Sequence, residues 1–177
     1  MVFALGFTRL RRDIEPGWVS WYVKEFYPTE EVRLRCPLGP IPDELKALYG
    51  PAKAAGVYRP WRPEVDALVV LPRYILLIEA KIFKYMDGLS KLPVYASLVK
   101  KTPELSVLLP RDIIMHLLIP TVIPWVIVAA AEAGVEVKIV APDWVMGFWR
   151  ERDLYWTPEN RMRREERKEL LKKLGYV

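Results

Sequence analysis

The sequence predicts an α/β fold: a mixed central β-sheet flanked by helices, in the order α-β-β-β-α-β-α-β, followed by a charged C-terminal helix. Three observations predict it. Two apolar, β-branched runs, 63–71 and 74–82, flank a Pro72-Arg73 break and read as an antiparallel hairpin. Both faces of that hairpin are apolar near the turn, the pattern of strands covered on two sides. The later strand–helix–strand unit, 113–140, implies a parallel crossover onto the same sheet.

The elements follow in order. Residues 1–13 form an ill-defined lead-in with basic Arg9, Arg11 and Arg12. Glu15-Pro16-Gly17 opens a helix from Trp18 to about Tyr27, stopped by Pro28. Trp18, Trp21, Tyr22 and Phe26 lie at helical spacing, as core residues do. Glu31–Cys36 alternates Val32, Leu34 and Cys36 with Arg33 and Arg35, a strand with one wet face. The Pro- and Gly-rich stretch 37–63 reads as an irregular surface excursion holding at most one short helix, near Glu44–Tyr49. After the hairpin comes a helix over Asp87–Lys101, kinked or started by Pro93. Strand Ile113–Ile119, helix Pro124–Ala133 and strand Val135–Val140 complete the sheet. Pro124 at the first helical position and Gly134 just past the end are the expected punctuation. The aromatic segment Trp144–Trp156 takes no assignment, and Glu159–Leu174 reads as a charged helix. The chain is expected to be a single domain over 1–177, with its core at about 15–141 and a C-terminal aromatic segment and helix at 142–177.

Composition narrows the class. At 177 residues there is ample length for one core. A net charge of +5 and pI near 9.3 suit a polyanionic partner without demanding one. The lone Cys36 excludes an internal disulfide framework, and with no cysteine–histidine cluster a structural zinc site is not expected. Glutamine is absent, Asn160 is the only asparagine, and prolines are frequent, a pattern of thermophile proteins, with AT/GC codon bias as the alternative. The stretch 113–131 lacks charge, but Pro120 and Pro124 interrupt it, so strand, turn and helix are expected rather than a membrane span. The apolar N-terminus is too short for a signal segment. An intracellular protein is expected, cytoplasmic or virion-associated, with no membrane partner.

Chemistry concentrates on the hairpin. Symmetric pairing about Pro72-Arg73 sets Leu68 opposite Leu77, Asp66 opposite Glu79 and Glu64 opposite Lys81. Opposed residues lie on one side with Cβ atoms about 4.5–5.5 Å apart. One face then carries Leu68, Val70, Ile75 and Leu77, with Asp66, Glu79, Glu64 and Lys81 at its open end. The other carries Val65, Ala67, Val69, Leu71, Tyr74, Leu76, Ile78 and Ala80. Two opposed carboxylates destabilise a strand pair, and burial sharpens the conflict. A bound divalent cation resolves it, because hard cations take carboxylate oxygens. The bland alternative is a solvated strand end in which Lys81 bridges the acids.

Pro63…Asp66 with Glu79-Ala80-Lys81 resembles the PD-(D/E)XK phosphodiesterase signature, shared by restriction endonucleases, junction resolvases and RecB-like exonucleases. The resemblance covers about residues 15–141 and implies the order helix, three strands, helix, strand. RecB-like members carry Gln-Leu-x-x-Tyr on the following helix, often after a glycine; Lys91-Leu92-Pro93-Val94-Tyr95 and Gly88 stand at those positions. Lys91 departs from the family's glutamine. The first-helix acid is Glu15 or Glu25, with Glu15 preferred.

The resemblance implies a metal-dependent DNA nuclease. Asp66 and Glu79, with the Ala80 carbonyl, hold Mg²⁺ or Mn²⁺. Lys81 orients the attacking water, and Glu15 assists through a water or a second metal. Lys84, Lys91 and Tyr95 face the nucleic acid, although exposed helix lysines and a packed tyrosine are equally ordinary. Mid-strand His116 reads as a core residue, and the basic C-terminal helix as a solvated face laced with i,i+4 pairs. A second function class competes: a non-catalytic assembly protein, such as a viral head or tail completion component, forming homo-oligomers or docking a partner through the Trp-rich C-terminal segment. Binding of branched or single-stranded nucleic acid without cleavage is a third.

Overall fold

A computed structural model describes residues 3–155 and 157–175, with side chains from 14 to 151 and from 157 to 175. The basic cluster Arg9, Arg11 and Arg12 and the terminal Trp156 of the aromatic segment therefore lie outside the described side chains. The chain divides into two compact units that meet in sequence at Ala141–Pro142.

The first unit is built on a five-stranded mixed sheet, in the order β1-β2-β3-β4-β5. These strands are β1 (Glu31–Pro37), β2 (Glu64–Val70), β3 (Tyr74–Ala80), β4 (Asp112–Ile119) and β5 (Glu136–Ile139). β1, β2 and β3 pair antiparallel; β3, β4 and β5 run parallel. The hairpin register is the symmetric one, Leu68 opposite Leu77 and Val70 opposite Ile75, closed by Leu71 N–H to the Tyr74 carbonyl at 2.9 Å. The two-residue break leaves little freedom for any other pairing.

Helices cover both faces. α1 (Phe3–Phe26) packs on β2 and β3 through Trp18, Val19, Tyr22 and Val23, all buried. The buried Trp18 indole donates to the Val140 carbonyl at 3.0 Å, which satisfies its one polar atom. On the opposite face, α4 (Tyr85–Val99) and α5 (Pro124–Glu132) bury Leu89, Leu92, Tyr95, Val99, Val126 and Ala130 against Leu68, Ile75, Leu77 and Leu117.

Several local expectations are corrected. α1 does not begin near Trp18 but runs through Pro16; α4 spans Pro93, as the helix expected over Asp87–Lys101 does, but starts earlier, at Tyr85, rather than at the proline. A helix-interior proline costs about 3 kcal/mol. In α4 this is offset by Leu89, Leu92, Tyr95 and Val99, each burying about 1.5–3 kcal/mol of side chain. The 37–63 excursion holds two helices, α2 (Asp43–Tyr49) and α3 (Pro51–Tyr58), then a short 3-10 turn, Arg59–Trp61. Gly50, at φ 75°, ends α2 in the left-handed region, and Pro51 starts α3 immediately.

The second unit is helical. The unassigned aromatic segment is α6 (Asp143–Tyr155), and Thr157, in extended conformation, precedes α7 (Pro158–Lys173), which buries no residue. Among the described residues no helix is long and apolar enough to cross a membrane.

Candidate active site

The amino end of β2 meets the carboxyl end of β3 in the antiparallel pair, and the irregular pairing there builds the site. The β2–β3 ladder stops at Ala67 opposite Ile78, one step short of Asp66 and Glu79. Where the next ladder bond would form, the Ala80 N–H donates instead to Asp66 Oδ2 at 3.0 Å. The Asp66 carboxylate thus replaces a backbone carbonyl, which fixes its position beside Glu79.

The same place interrupts β1. The β1–β2 pairing passes from Leu34–Ala67 to Cys36–Val65 and omits Arg35 opposite Asp66. Arg35 has φ 49°, a left-handed conformation that costs a non-glycine residue about 1–2 kcal/mol. The face alternation slips there. Val65 and Cys36 join the core on the α4 side with Leu68, whereas Leu34 is 48% exposed. This corrects the expectation that Val65 lies on the opposite face from Leu68.

The expected Glu64–Lys81 pair does not form. Glu64 takes Arg35 at 3.3 Å and Arg59 at 2.9 Å. Lys81, with its N–H on the Leu118 carbonyl at 3.0 Å, points its ammonium at Glu79 Oε1 (2.9 Å) and Glu15 Oε2 (3.5 Å). Glu15 reaches from α1, and its Oε1 accepts the Ile82 N–H at 3.0 Å. Glu25, the other first-helix acid, is exposed. Three chain segments therefore converge: α1 with Glu15, β2 with Asp66, and the end of β3 with Glu79 and Lys81.

Gly88 lets α4 close over them. A Cβ there would stand 2.6 Å from Leu117 Cδ1 and 2.9 Å from Lys81 Cγ, so no larger residue fits without displacement. One and two turns on, Lys91 and Tyr95 follow. Lys91 pairs with Asp87 at 2.8 Å, and its charge also favours ionised Glu79. Tyr95 is buried, and its phenol is pushed up to about 12, first by burial and then by Glu79 and Asp66. Lys84 precedes α4 and is exposed. Ala80 enters the site through its N–H.

The electrostatics are uneven. Burial pushes the Glu79 carboxyl up to about 7, Asp66 adds to the rise, and Lys81 opposes it. Burial works against the Lys81 ammonium as well, but Glu79, Glu15 and Asp66 outweigh it, so its pKa is raised. The two directions are compatible because Lys81 meets three carboxylates, whereas Glu79 meets both a cation and another anion. Lys81 is charged at neutral pH.

No family model matches the chain, and no curated protein or solved structure matches it.

The donor set can be tested for a cation. Among the described residues no group of three or more His, Cys, Asp or Glu side chains is arranged to hold a metal ion. Two carboxylates are nevertheless brought together, and the Glu79 Oε2 atom is buried with no hydrogen-bond partner. A buried carboxylate oxygen without a donor is costly, and a hard cation is a partner that such an oxygen accepts. Mg²⁺ retains several waters and takes as few as one or two carboxylates, so the pair suits it.

The roles of Arg35 and Arg62 were missed in the sequence; Gly88 was noted only as a motif position, without its packing role. Arg62 is a buried clamp: its guanidinium meets Glu104 at 2.6 and 3.0 Å and donates to the carbonyls of Pro37, Leu38 and Gly39. It holds the loop after β1 against the chain entering β2. The Pro37-Leu38-Gly39 run before it gives no local sign of such a partner. His116 lies in β4, its Nε2 3.3 Å from Glu136, with its Nδ1 buried and unpartnered.

Proposed function

We propose that this chain is a metal-dependent nuclease that hydrolyses DNA phosphodiester bonds, built on a restriction-endonuclease-like α-β-β-β-α-β core of the PD-(D/E)XK type. The observation that carries the reading is the unpartnered, buried Glu79 Oε2 beside Asp66, with Lys81 held at 2.9 Å from the other Glu79 oxygen. A solvated strand end has no reason to bury a carboxylate.

Asp66 and Glu79 would hold Mg²⁺ or Mn²⁺, with the Ala80 carbonyl as a further ligand. The bound ion supplies Lewis-acid charge at the phosphate and acidifies a water. Lys81, a compact ammonium fixed between Glu79 and Glu15, orients the attacking water and offsets charge developing on the phosphate oxygens. Glu15 keeps that ammonium in place and ties α1 to Ile82. Lys91 and Lys84 offer positive charge to neighbouring phosphates, and Tyr95 closes the site beneath them. Net charge +5 suits a polyanionic substrate.

The test is cleavage of labelled DNA with Mg²⁺ or Mn²⁺. Asp66→Ala and Lys81→Ala are expected to abolish it, and cleavage that survives both substitutions defeats the reading. A second reading, an assembly protein using the same fold in an intracellular or virion setting, is favoured by Trp144 on α6, 47% exposed. Light scattering distinguishes it: a strict monomer that cleaves DNA rules it out.

A further inference from the structure

Trp125 is a large aromatic left 49% exposed, and its position gives it a use. β3 and β4 run parallel, so their carboxyl ends share one sheet edge, tied by Lys81 N–H to the Leu118 carbonyl. β4 ends at Ile119 and α5 starts at Pro124, so Trp125 sits in the first turn of α5, at the edge that carries Glu79 and Lys81. It is not isolated there. Its ring stands 6.5 Å from that of Tyr85, at an interplanar angle of 64°. Tyr85 is fixed in turn by its hydroxyl, which donates to the Ile82 carbonyl at 2.6 Å. Ile82 directly follows Lys81, and one α4 turn, about 5 Å, separates Tyr85 from Gly88, the residue pressed against Lys81 and Glu79. An anchored tyrosine and a half-exposed tryptophan thus form a ledge continuous with the acidic site, on the side away from β2.

A flat, exposed indole beside a phosphate-handling site offers a stacking surface. Bases within a continuous duplex have both faces covered by neighbours and cannot use it. An unpaired base can. We propose that the Tyr85–Trp125 ledge stacks an unpaired base of the strand whose phosphate lies at Asp66, Glu79 and Lys81, so that the substrate class is DNA with a single-stranded segment: a flap, a frayed end or a single strand. This rests on the nuclease reading and narrows its substrate.

The experiment uses the full chain and separates binding from cleavage. Fluorescence anisotropy in EDTA compares labelled oligothymidine with a blunt duplex of equal length at one salt concentration. Trp125→Ala is expected to weaken oligothymidine binding about 5- to 150-fold, the equivalent of ~1–3 kcal/mol for one base stack, and to leave duplex binding unchanged. Trp125→Phe, which keeps an aromatic face, is expected to retain most of the affinity; circular dichroism checks that both variants fold. Equal loss on both DNAs, or none on either, overturns the ledge. So does a dimer that Trp125→Ala converts to monomer with oligothymidine binding intact, which assigns the surface to a second copy of the chain. The two readings fail separately. Cleavage abolished by Asp66→Ala, with single-strand binding indifferent to Trp125, sinks the ledge and leaves the nuclease. Selective single-strand loss, with cleavage indifferent to Asp66→Ala, does the reverse.

Discussion

Glu79 and Lys81, two residues apart at the end of β3, form a 2.9 Å ion pair in which the lysine is fully engaged and the glutamate is not. The lysine finds Glu15 as a second acid. The glutamate's other oxygen finds no donor. Most of what can be measured on this protein follows from that imbalance.

The first consequence is an unusual pH dependence of stability. With its pKa raised from 4.5 to about 7, folded Glu79 binds its proton more tightly than the unfolded chain does. The stability this contributes is full below about pH 4.5 and is lost as pH rises through about 7. Thermal melts of the metal-free protein are expected to show this loss, and Glu79→Gln is expected to remove it. Above pH 7, Mg²⁺ should raise the melting temperature of the parent protein and not that of Glu79→Gln. Equal shifts in both would place the ion elsewhere.

His116 is expected to act in the opposite direction. Burial, aided by Lys138 and opposed by Glu136, lowers its pKa from 6.5 to about 4. Folded His116 resists protonation, so its contribution is present above about pH 6.5 and is lost as pH falls toward 4. His116→Leu should abolish that acid-side loss. Between about pH 4.5 and 6.5 the two groups offset one another, so each single variant should show a steeper melting profile there than the parent.

Gly88→Ala is expected to destabilise the protein even though alanine is the better helix former, by about 1 kcal/mol. The new methyl overlaps Leu117 and the Lys81 stem, and overpacking of this kind costs about 1–3 kcal/mol. Urea unfolding gives the sign. Because Lys81 is one of the two atoms' owners, cleavage should fall by more than the folded fraction does; a fall in stability alone would make Gly88 a packing residue only.

Arg62→Met should cost about 2–4 kcal/mol, since three backbone carbonyls and Glu104 lose a buried donor together. Urea midpoints check this. Metal-dependent cleavage by the fraction that remains folded should be unchanged, as Arg62 touches none of the site residues.

Local chemistry was legible in the sequence and distant chemistry was not. The Pro72-Arg73 break dictates the β2–β3 register, and Pro124 and Gly134 delimit the crossover, because turn and cap preferences act within a few residues. Glu15 could be preferred over Glu25 from its place ahead of the first apolar helical residues. The helix over Pro93 was legible, but the run of α1 ahead of Pro16 was hidden, because burial from elsewhere in the chain overrides a local breaker. The left-handed Arg35 sits where the β1–β2 ladder skips a pair, opposite Asp66 on a distant strand, and Arg62 is held by a glutamate forty-two positions on. Neither leaves a periodic trace.

The hydrogen bond from Ala80 to Asp66 has one more consequence. A carboxylate oxygen has two lone pairs, so Oδ2 can keep its amide while still facing an incoming ligand. The side chain is immobilised as the sheet forms, before any ion arrives. Binding of the proposed ion would then need no fresh loss of rotamer freedom at this position, because the end of the β2–β3 pair acts as a jig that holds the acid ready.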